Sequence, residues 1–225
     1  MTQAGLIPAA GASSRMGYPK ALVEMIPEAE GVAGPRAGVS ARPWVLRQAV
    51  LLAQAGCRPV MTVLGSEHER IIRHINRSAE VTPFAAGWQV NLDAGAVACR
   101  YVVHPRWRLG RTSSVLAGLR ALFAVQEGTG PDGCVILPVD TAGIKPQTMQ
   151  YIVSCAMSTD ADVLRPVHAG HSGQVIWISR ACALRMLKDR GLLRRRLDDY
   201  FKTMARELPV DDAHILNNIN RTVNP

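Results

Sequence analysis

Short apolar runs without a helical period alternate along this chain with segments whose apolar residues recur every three or four positions. No other feature constrains the fold as much. The runs are LIPAA (6–10), RPVMTVLG (58–65), CRYVVHP (99–105), GCVILPVD (133–140), ADVLRPV (161–167) and GQVIWIS (173–179), with a short one at RELPV (206–210). Helical patterns lie between them: PWVLRQAVLLAQAGC (43–57), SEHERIIRHINRS (66–78), a segment turning helical at Ser113–Ser114, Pro146 to about Met157, and Arg180 to Ala205 with a break near Gly191. Pro43 suits a first helical turn, and Ser66 followed by Glu69 reads as a capping box. Strands and helices in alternation predict a mostly parallel sheet covered on both faces, an α/β chain folded as a three-layer α/β/α sandwich. Residues 28–42, rich in Gly, Ala and Pro, and residues 82–98 carry no period and read as irregular insertions in a single domain spanning 1–225.

Composition narrows the function classes. Of 225 residues 48% are hydrophobic and only 5% aromatic, so Ala, Val, Leu and Ile build the core. No apolar run approaches the roughly 20 residues of a membrane span, and no cationic segment precedes an apolar one at the start. The expectation is a cytoplasmic protein without a membrane partner. The five cysteines (57, 99, 134, 155, 182) are scattered, never in a Cys-x-x-Cys pair, and several lie in apolar segments. Reduced buried thiols fit better than disulfides or zinc. The net charge of +8 is spread along the chain. Its densest cluster, RGLLRRRLDDYFK (190–202), carries acids beside it and reads better as a solvated helix face. An RNA binder would cluster basic residues with stacking aromatics on one face, so no nucleic-acid partner is expected. A polyanionic small substrate suits the charge equally well.

Open parallel sheets bind ligands beyond the carboxyl ends of their strands. Three features fall there: the loop after LIPAA, the RLGRTSS segment (108–114) after the third run, and Asp140 at the end of VILPVD. In the loop, Ala9, Ala10, Gly11, Ala12, Ser13 and Ser14 let backbone N–H groups approach an anion with no bulky side chain in the way. Arg15 can fork across phosphate oxygens, and Lys20, fixed by Pro19, supplies a point charge. The loop is neither of the common nucleotide motifs. Five residues separate Gly11 from Gly17 where a P-loop has four, and Ser13 stands where a dinucleotide fingerprint needs its second glycine. An ordinary surface turn would explain Arg15 alone. The whole pattern after a buried strand favours an anion site.

PAAGASSRMGYPK (8–20) resembles the opening motif of the MobA-like NTP transferases, nearest to the molybdenum cofactor cytidylyltransferases. That motif reads leucine-Ala-(Ala/Gly)-Gly-x-Ser-x-Arg-Met-Gly-x-Pro-Lys, and Pro8 here replaces the leucine. GRTSSVLAGLRAL (110–122) is similar to the family's Gly-x-x-x-Ser-(Leu/Val)-x-x-Gly-Leu segment. VILPVDTAGIKPQTM (135–149) matches its Gly-Asp-Met-Pro strand end more loosely. KDRGLLRRRL (188–197) and ILNNIN (215–220) follow in the family's order. The resemblance implies a nucleotidyltransferase fold, Rossmann-like and GT-A-like. It implies transfer of an NMP from an NTP to a phosphorylated acceptor, with pyrophosphate released and Mg²⁺ as cofactor. A molybdopterin-type cofactor is the first acceptor to consider, a sugar phosphate the alternative.

On the same resemblance Arg15, Lys20 and Asp140 are the catalytic candidates. Ala9, Ala10, Gly11, Ser13, Arg15, Lys20, Ser113 and Gly118 bind the nucleotide, Ser114 being the less favoured of the serine pair. Asp140 and Asn218 hold the metal, with Asn220 as the alternative to Asn218. Guanylyl-transferring relatives tend to carry Ala-Gly-Gly in the loop, so Ala9-Ala10-Gly11 favours CTP over GTP. A phosphate nucleophile is already anionic near pH 7, which fits a chain without a Ser/His/Asp or paired-carboxylate constellation. His104, His168 and His171 show no metal spacing and carry no assigned chemistry. Two other classes of reading remain beside the transferase. A catalytically silent nucleotide binder would keep the loop and need no Asp140, and an RNA binder would rest on charge alone.

Overall fold

The computed structural model describes residues 1–24, 42–92, 95–123 and 130–218. In chain order the elements are β1 (Gln3–Ala9), α1 (Trp44–Gln54), β2 (Cys57–Leu64), α2 (His68–Ile75), β3 (Val81–Phe84), β4 (Gly87–Leu92) and β5 (Gly95–Val103). They continue as α3 (Arg111–Phe123), β6 (Gly133–Ile136), α4 (Pro146–Ser158), β7 (Val163–His168), β8 (His171–Ser172), β9 (Ile176–Ser179), α5 (Arg180–Lys188), α6 (Leu197–Phe201) and β10 (Ala205–Pro209). All ten strands join one sheet in the order β10-β7-β9-β6-β1-β2-β5-β4-β3, with β8 paired to β7 off this path. β6, β1, β2 and β5 run parallel. β9 enters reversed between β6 and β7.

The strands read as continuous apolar runs because alternate side chains enter two separate cores. Ile7 and Ala9 of β1, with Val60 and Leu64 of β2, pack with α1 and α4 residues such as Leu46 and Ile152. Ala4 and Leu6, with Met61 and Val63, pack on the other face with Leu116 and Leu119 of α3 and Met186 of α5. α3 approaches the sheet closely because Gly118 has no side chain: a Cβ there would lie 2.3 Å from Leu6 Cδ1 and 2.8 Å from Val63 Cγ2. The expected α/β/α sandwich with a mostly parallel sheet is the observed fold. No helix of the described residues is long and apolar enough to cross a membrane.

Three expectations need correction. Residues 82–98 are not an irregular insertion. They form the hairpin β3–β4 and the start of β5, antiparallel to one another, and extend the sheet at one edge. The alternation was present, since Trp88 and Val90 are buried while Gln89 and Asn91 are exposed, but Gly and Ala on either side obscured it. Ser66 does not cap α2. The helix starts at His68 behind Glu67, which has a left-handed backbone (φ 53°) and makes no side-chain cap bond. α3 begins at Arg111 rather than at the serine pair. The other insertion, 28–42, lies almost entirely outside the described residues. Both edge strands carry a proline, Pro83 in β3 and Pro209 in β10.

Pro8, the departure from the family motif, has a local consequence. Leu6 pairs with Ile136 and accepts a hydrogen bond from the Leu137 N–H at 2.9 Å. Two residues on, a proline has no N–H to return, and the one remaining contact, Val139 N–H to the Pro8 carbonyl, stretches to 3.5 Å. The ladder between β1 and β6 ends there, and the chains part at the carboxyl end of the sheet.

Candidate functional site

Where those strands part lies a cleft of about 580 Å³. Its lining joins the three strand-end features. From the β1 loop come Pro8, Ala9, Ala10, Gly11, Ser13, Ser14, Arg15, Met16 and Lys20. The segment into α3 gives Trp107, Arg108, Gly110, Arg111 and Ser114, and the end of the β6 run gives Pro138, Val139 and Asp140. Asn218 arrives from the C-terminal segment. Four of the lining residues are cationic and one is a carboxylate, so the cleft favours a polyanion.

The loop is folded by its own backbone. Ser13 sits in the left-handed region (φ 51°), where its carbonyl accepts from Met16 N–H at 2.8 Å. Its Oγ accepts from Lys20 N–H at 3.0 Å. That hydroxyl closes the loop at its base and sets where Lys20 leaves it. Gly17 (φ 63°) supplies the other left-handed turn. Lys20 Nζ then reaches across the cleft to Asp140 Oδ2 at 2.7 Å, so loop cation and strand-end carboxylate meet at one point. Gly65 backs the loop from β2. A Cβ there would lie 2.6 Å from the Ala10 carbonyl oxygen and equally near Trp107 Cβ.

Asp140 starts a turn held from two sides. Gln48 Nε2 donates to the Thr141 carbonyl at 2.6 Å from α1. Asn217 Nδ2 donates to the Ala142 carbonyl at 2.8 Å from the C-terminal segment. Asp212, which is almost fully buried, ties the C-terminal segment to the start of α4, just beyond the Asp140 turn. Its Oδ2 accepts from Lys145 N–H (2.9 Å) and Thr148 Oγ1 (2.8 Å), and its Oδ1 from His214 N–H (3.1 Å) and His214 Nδ1 (2.9 Å). Burial pushes this carboxyl upward, but the hydrogen bonds from Lys145, Thr148 and His214 outweigh it and hold the group below its usual value. Asn218 therefore faces the cleft from a strap tied to the Asp140 turn.

Of the residues singled out in the sequence, Ala9, Ala10, Gly11, Ser13, Arg15, Lys20, Asp140 and Asn218 line the cleft together. Ser113 and Gly118 do not. Ser113 is buried in the first turn of α3 and donates to the Gly110 carbonyl at 2.7 Å. Its oxygen is left to accept from His104 Nε2 at 3.0 Å. Burial, with Arg120 and Arg106 nearby, holds the His104 imidazole below its usual value, which suits that neutral donor. Ser114, the less favoured of the pair, is the one at the cleft. Gly118 serves helix–sheet packing. Asn220 lies outside the described residues. Trp107, Arg108 and Ile71 also line the cleft, and the sequence offered a signal only for Arg108, in the basic run before Gly110. Among the described residues no group of three or more His, Cys, Asp or Glu could hold a metal ion.

Matched against protein families, residues 5–206 fit the MobA-like NTP transferase domain. No curated protein matches the chain. Among solved structures the fold is similar to that of Rv0371c from Mycobacterium tuberculosis, at 19% identity and a TM-score of 0.65, covering 98% of this chain and 93% of that one. The same mycobacterial protein in complex with manganese matches at 19% identity and 0.57, over 95% of this chain and 90% of that one. A nucleotidyl transferase from Methanothermobacter matches at 15% identity and 0.63, covering 98% and 92%. Molybdopterin-guanine dinucleotide biosynthesis protein A from Archaeoglobus fulgidus matches at 14% identity and 0.59, covering 98% and 93%.

Proposed function

The chain is a nucleotidyltransferase of the MobA-like NTP transferase family, and on that premise we propose that it moves an NMP from an NTP, CTP by preference, to a phosphorylated acceptor with release of pyrophosphate. One observation carries the reading: Arg15 and Lys20 of one loop, Asp140 and Asn218, from three separate parts of the sequence, line a single cleft at the carboxyl end of the sheet. Arg15 and Lys20 bind the triphosphate and neutralise charge that builds up as the bond to pyrophosphate breaks. The loop amides from Ala9 to Ser13 orient the phosphates. The attacking acceptor phosphate needs no base, so the protein's task is alignment of the attacking oxygen with the α-phosphorus.

Asp140 and Asn218 fit a hard divalent cation, which takes one or two protein carboxylates and fills its shell with phosphate and water oxygens. Asp140 offers the charge, with one oxygen already turned toward Lys20, and Asn218 offers a neutral amide oxygen. We assign these residues to Mg²⁺, which when bound supplies further neutralisation on the phosphate oxygens. A structural relative was solved with manganese, and that supports a divalent ion here. Ala10 lines the cleft where the extra methyl narrows the space for a purine, which supports CTP. A molybdopterin-type cofactor is the first acceptor to try, a sugar phosphate the second, and the reaction belongs in the cytoplasm.

Pyrophosphate release from CTP, GTP, UTP, ATP and dTTP tests the reading, with Mg²⁺ and a panel of phosphorylated acceptors including molybdopterin. Asp140→Ala and Lys20→Ala are run beside the wild type. Turnover with one NTP and one acceptor, lost in Asp140→Ala, is the expected result. NTP binding that Lys20→Ala weakens, with no turnover on any acceptor, would instead favour a catalytically silent binder.

A further inference from the structure

A second cavity, of about 390 Å³, adjoins the first and shares Gly110 and Arg111 with it. Its other walls are Leu109 and Thr112 on one side and the stretch from Leu193 to Asp198 on the other. Four arginines, Arg111, Arg194, Arg195 and Arg196, line it beside a single acidic residue. That carboxylate, Asp198, is engaged by Arg165 Nη2 at 2.8 Å. Arg111 Nη1 makes only a long contact, 3.4 Å, to Gln174 Oε1. Among the described residues none of the guanidinium groups of 194–196 has an ion-pair partner. The backbone beneath them is fixed, since Thr112 Oγ1 donates to the Arg195 carbonyl at 3.1 Å and ties the arginine stretch to the first turn of α3. Leu109 and Leu193 are 57% and 46% exposed and give the cavity an apolar wall.

Planar guanidinium forks match carboxylates and phosphates. Three uncompensated ones on a fixed backbone beside a leucine wall call for an organic anion. Lys20, the triphosphate contact in that reading, lines only the first cleft, and no residue of the β1 loop lines the second. We propose that the second cavity seats an anionic group of the acceptor that takes no part in the reaction. The acceptor is then a phosphate ester that also bears a carboxylate or a second phosphate, joined through a carbon stem that crosses Gly110. The assignment to an acceptor rests on the nucleotide reading of the first cleft, whereas the anion site itself does not.

The test uses the full chain, first titrated with a non-hydrolysable CTP analogue. At saturation with that analogue, inorganic phosphate is added and the amide resonances of Gly110, Thr112, Leu193 and Leu197 are followed by NMR. These amides are expected to shift together. The variant Arg194→Gln/Arg195→Gln/Arg196→Gln should bind phosphate at least tenfold more weakly and the analogue as the wild type does. Equal phosphate affinity in variant and wild type would overturn the inference, as would shifts confined to residues 8–20. If the analogue does not bind the wild type, the reading of the first cleft fails instead. Phosphate is then titrated alone: shifts at the second cavity that the variant loses uphold the anion site and remove its assignment to an acceptor, and their absence overturns both.

Discussion

Asp212→Asn tests how the candidate site is held, because this side chain joins the start of α4, which follows the Asp140 turn, to the segment that carries Asn218, and it does not line the cleft. The substitution keeps the shape and removes the charge. One of the two carboxylate oxygens becomes an NH₂, so two of the four donors facing the group meet another donor. If the NH₂ replaces Oδ2, Thr148 can rotate to accept and the Lys145 N–H is orphaned. If it replaces Oδ1, the His214 ring can present an unprotonated nitrogen and the His214 N–H is orphaned. Either way one part-buried amide loses its partner, at about 1–3 kcal/mol, and the surviving bonds fall from charge-assisted to neutral, a further ~1 kcal/mol. The expected loss is about 2–4 kcal/mol out of a total in the range of about 5–15. For a chain of this length that lowers Tm by roughly 5–15 °C. Urea titration followed by circular dichroism at pH 7 measures it, and pyrophosphate release should fall at temperatures where the variant is still folded. The acid limb gives a second reading. A carboxyl whose folded pKa is depressed stabilises fully above its unfolded value of about 4 and loses that contribution as pH falls through the folded value. The wild type should therefore shed stability below about pH 4 more steeply than Asp212→Asn. A loss under about 0.5 kcal/mol at pH 7 would refute the view that these four bonds hold the strap, because that is the size of an ordinary surface change.

Gly118→Ala places a methyl 2.3 Å from Leu6 Cδ1. It should cost about 1–3 kcal/mol through overpacking while leaving CTP affinity unchanged in the folded protein. Weaker CTP binding at unchanged stability would restore the nucleotide-binding role expected from the sequence. Burial pushes the thiols of Cys57 and Cys99 up to about 12 and that of Cys182 up to about 11, and raises Cys134 as well. A thiol reagent at pH 8 should then label Cys155 alone in the native chain and all five cysteines after unfolding, counted by mass spectrometry. Gly65→Ala drives a methyl against the Ala10 carbonyl and Trp107, so it should weaken nucleotide binding by displacing the loop, read as a higher CTP Kd.

Much of this was legible in the sequence, and the misses have particular causes. The strand runs, the loop and Asp140 were visible because each rests on local signals: apolar continuity, small residues, a charged group at the end of a run. The reversed entry of β9 was not visible, since an apolar run carries no direction. A motif records that a glycine is needed at 118 and not whether a ligand or Leu6 requires the space. Ser113 and Ser114 differ in which side of α3 they occupy, and only Ser114 lines the cleft. The second cavity was hidden most completely. Its arginines read as a solvated helix face, and the fold brings them beside Gly110, where Thr112 bonds the Arg195 carbonyl.

The prolines at the two ends of the sheet bear on how copies of this protein meet. An outer strand with a full row of N–H groups is a template on which another chain can build. Pro83 breaks that row in β3, and Pro209 does so in β10, where Arg206 and Glu207 add charge to the same short strand. Edge-to-edge extension into a continuous intermolecular sheet is disfavoured at both margins. Crowded chains at high expression are thereby steered away from fibrous association through these two edges.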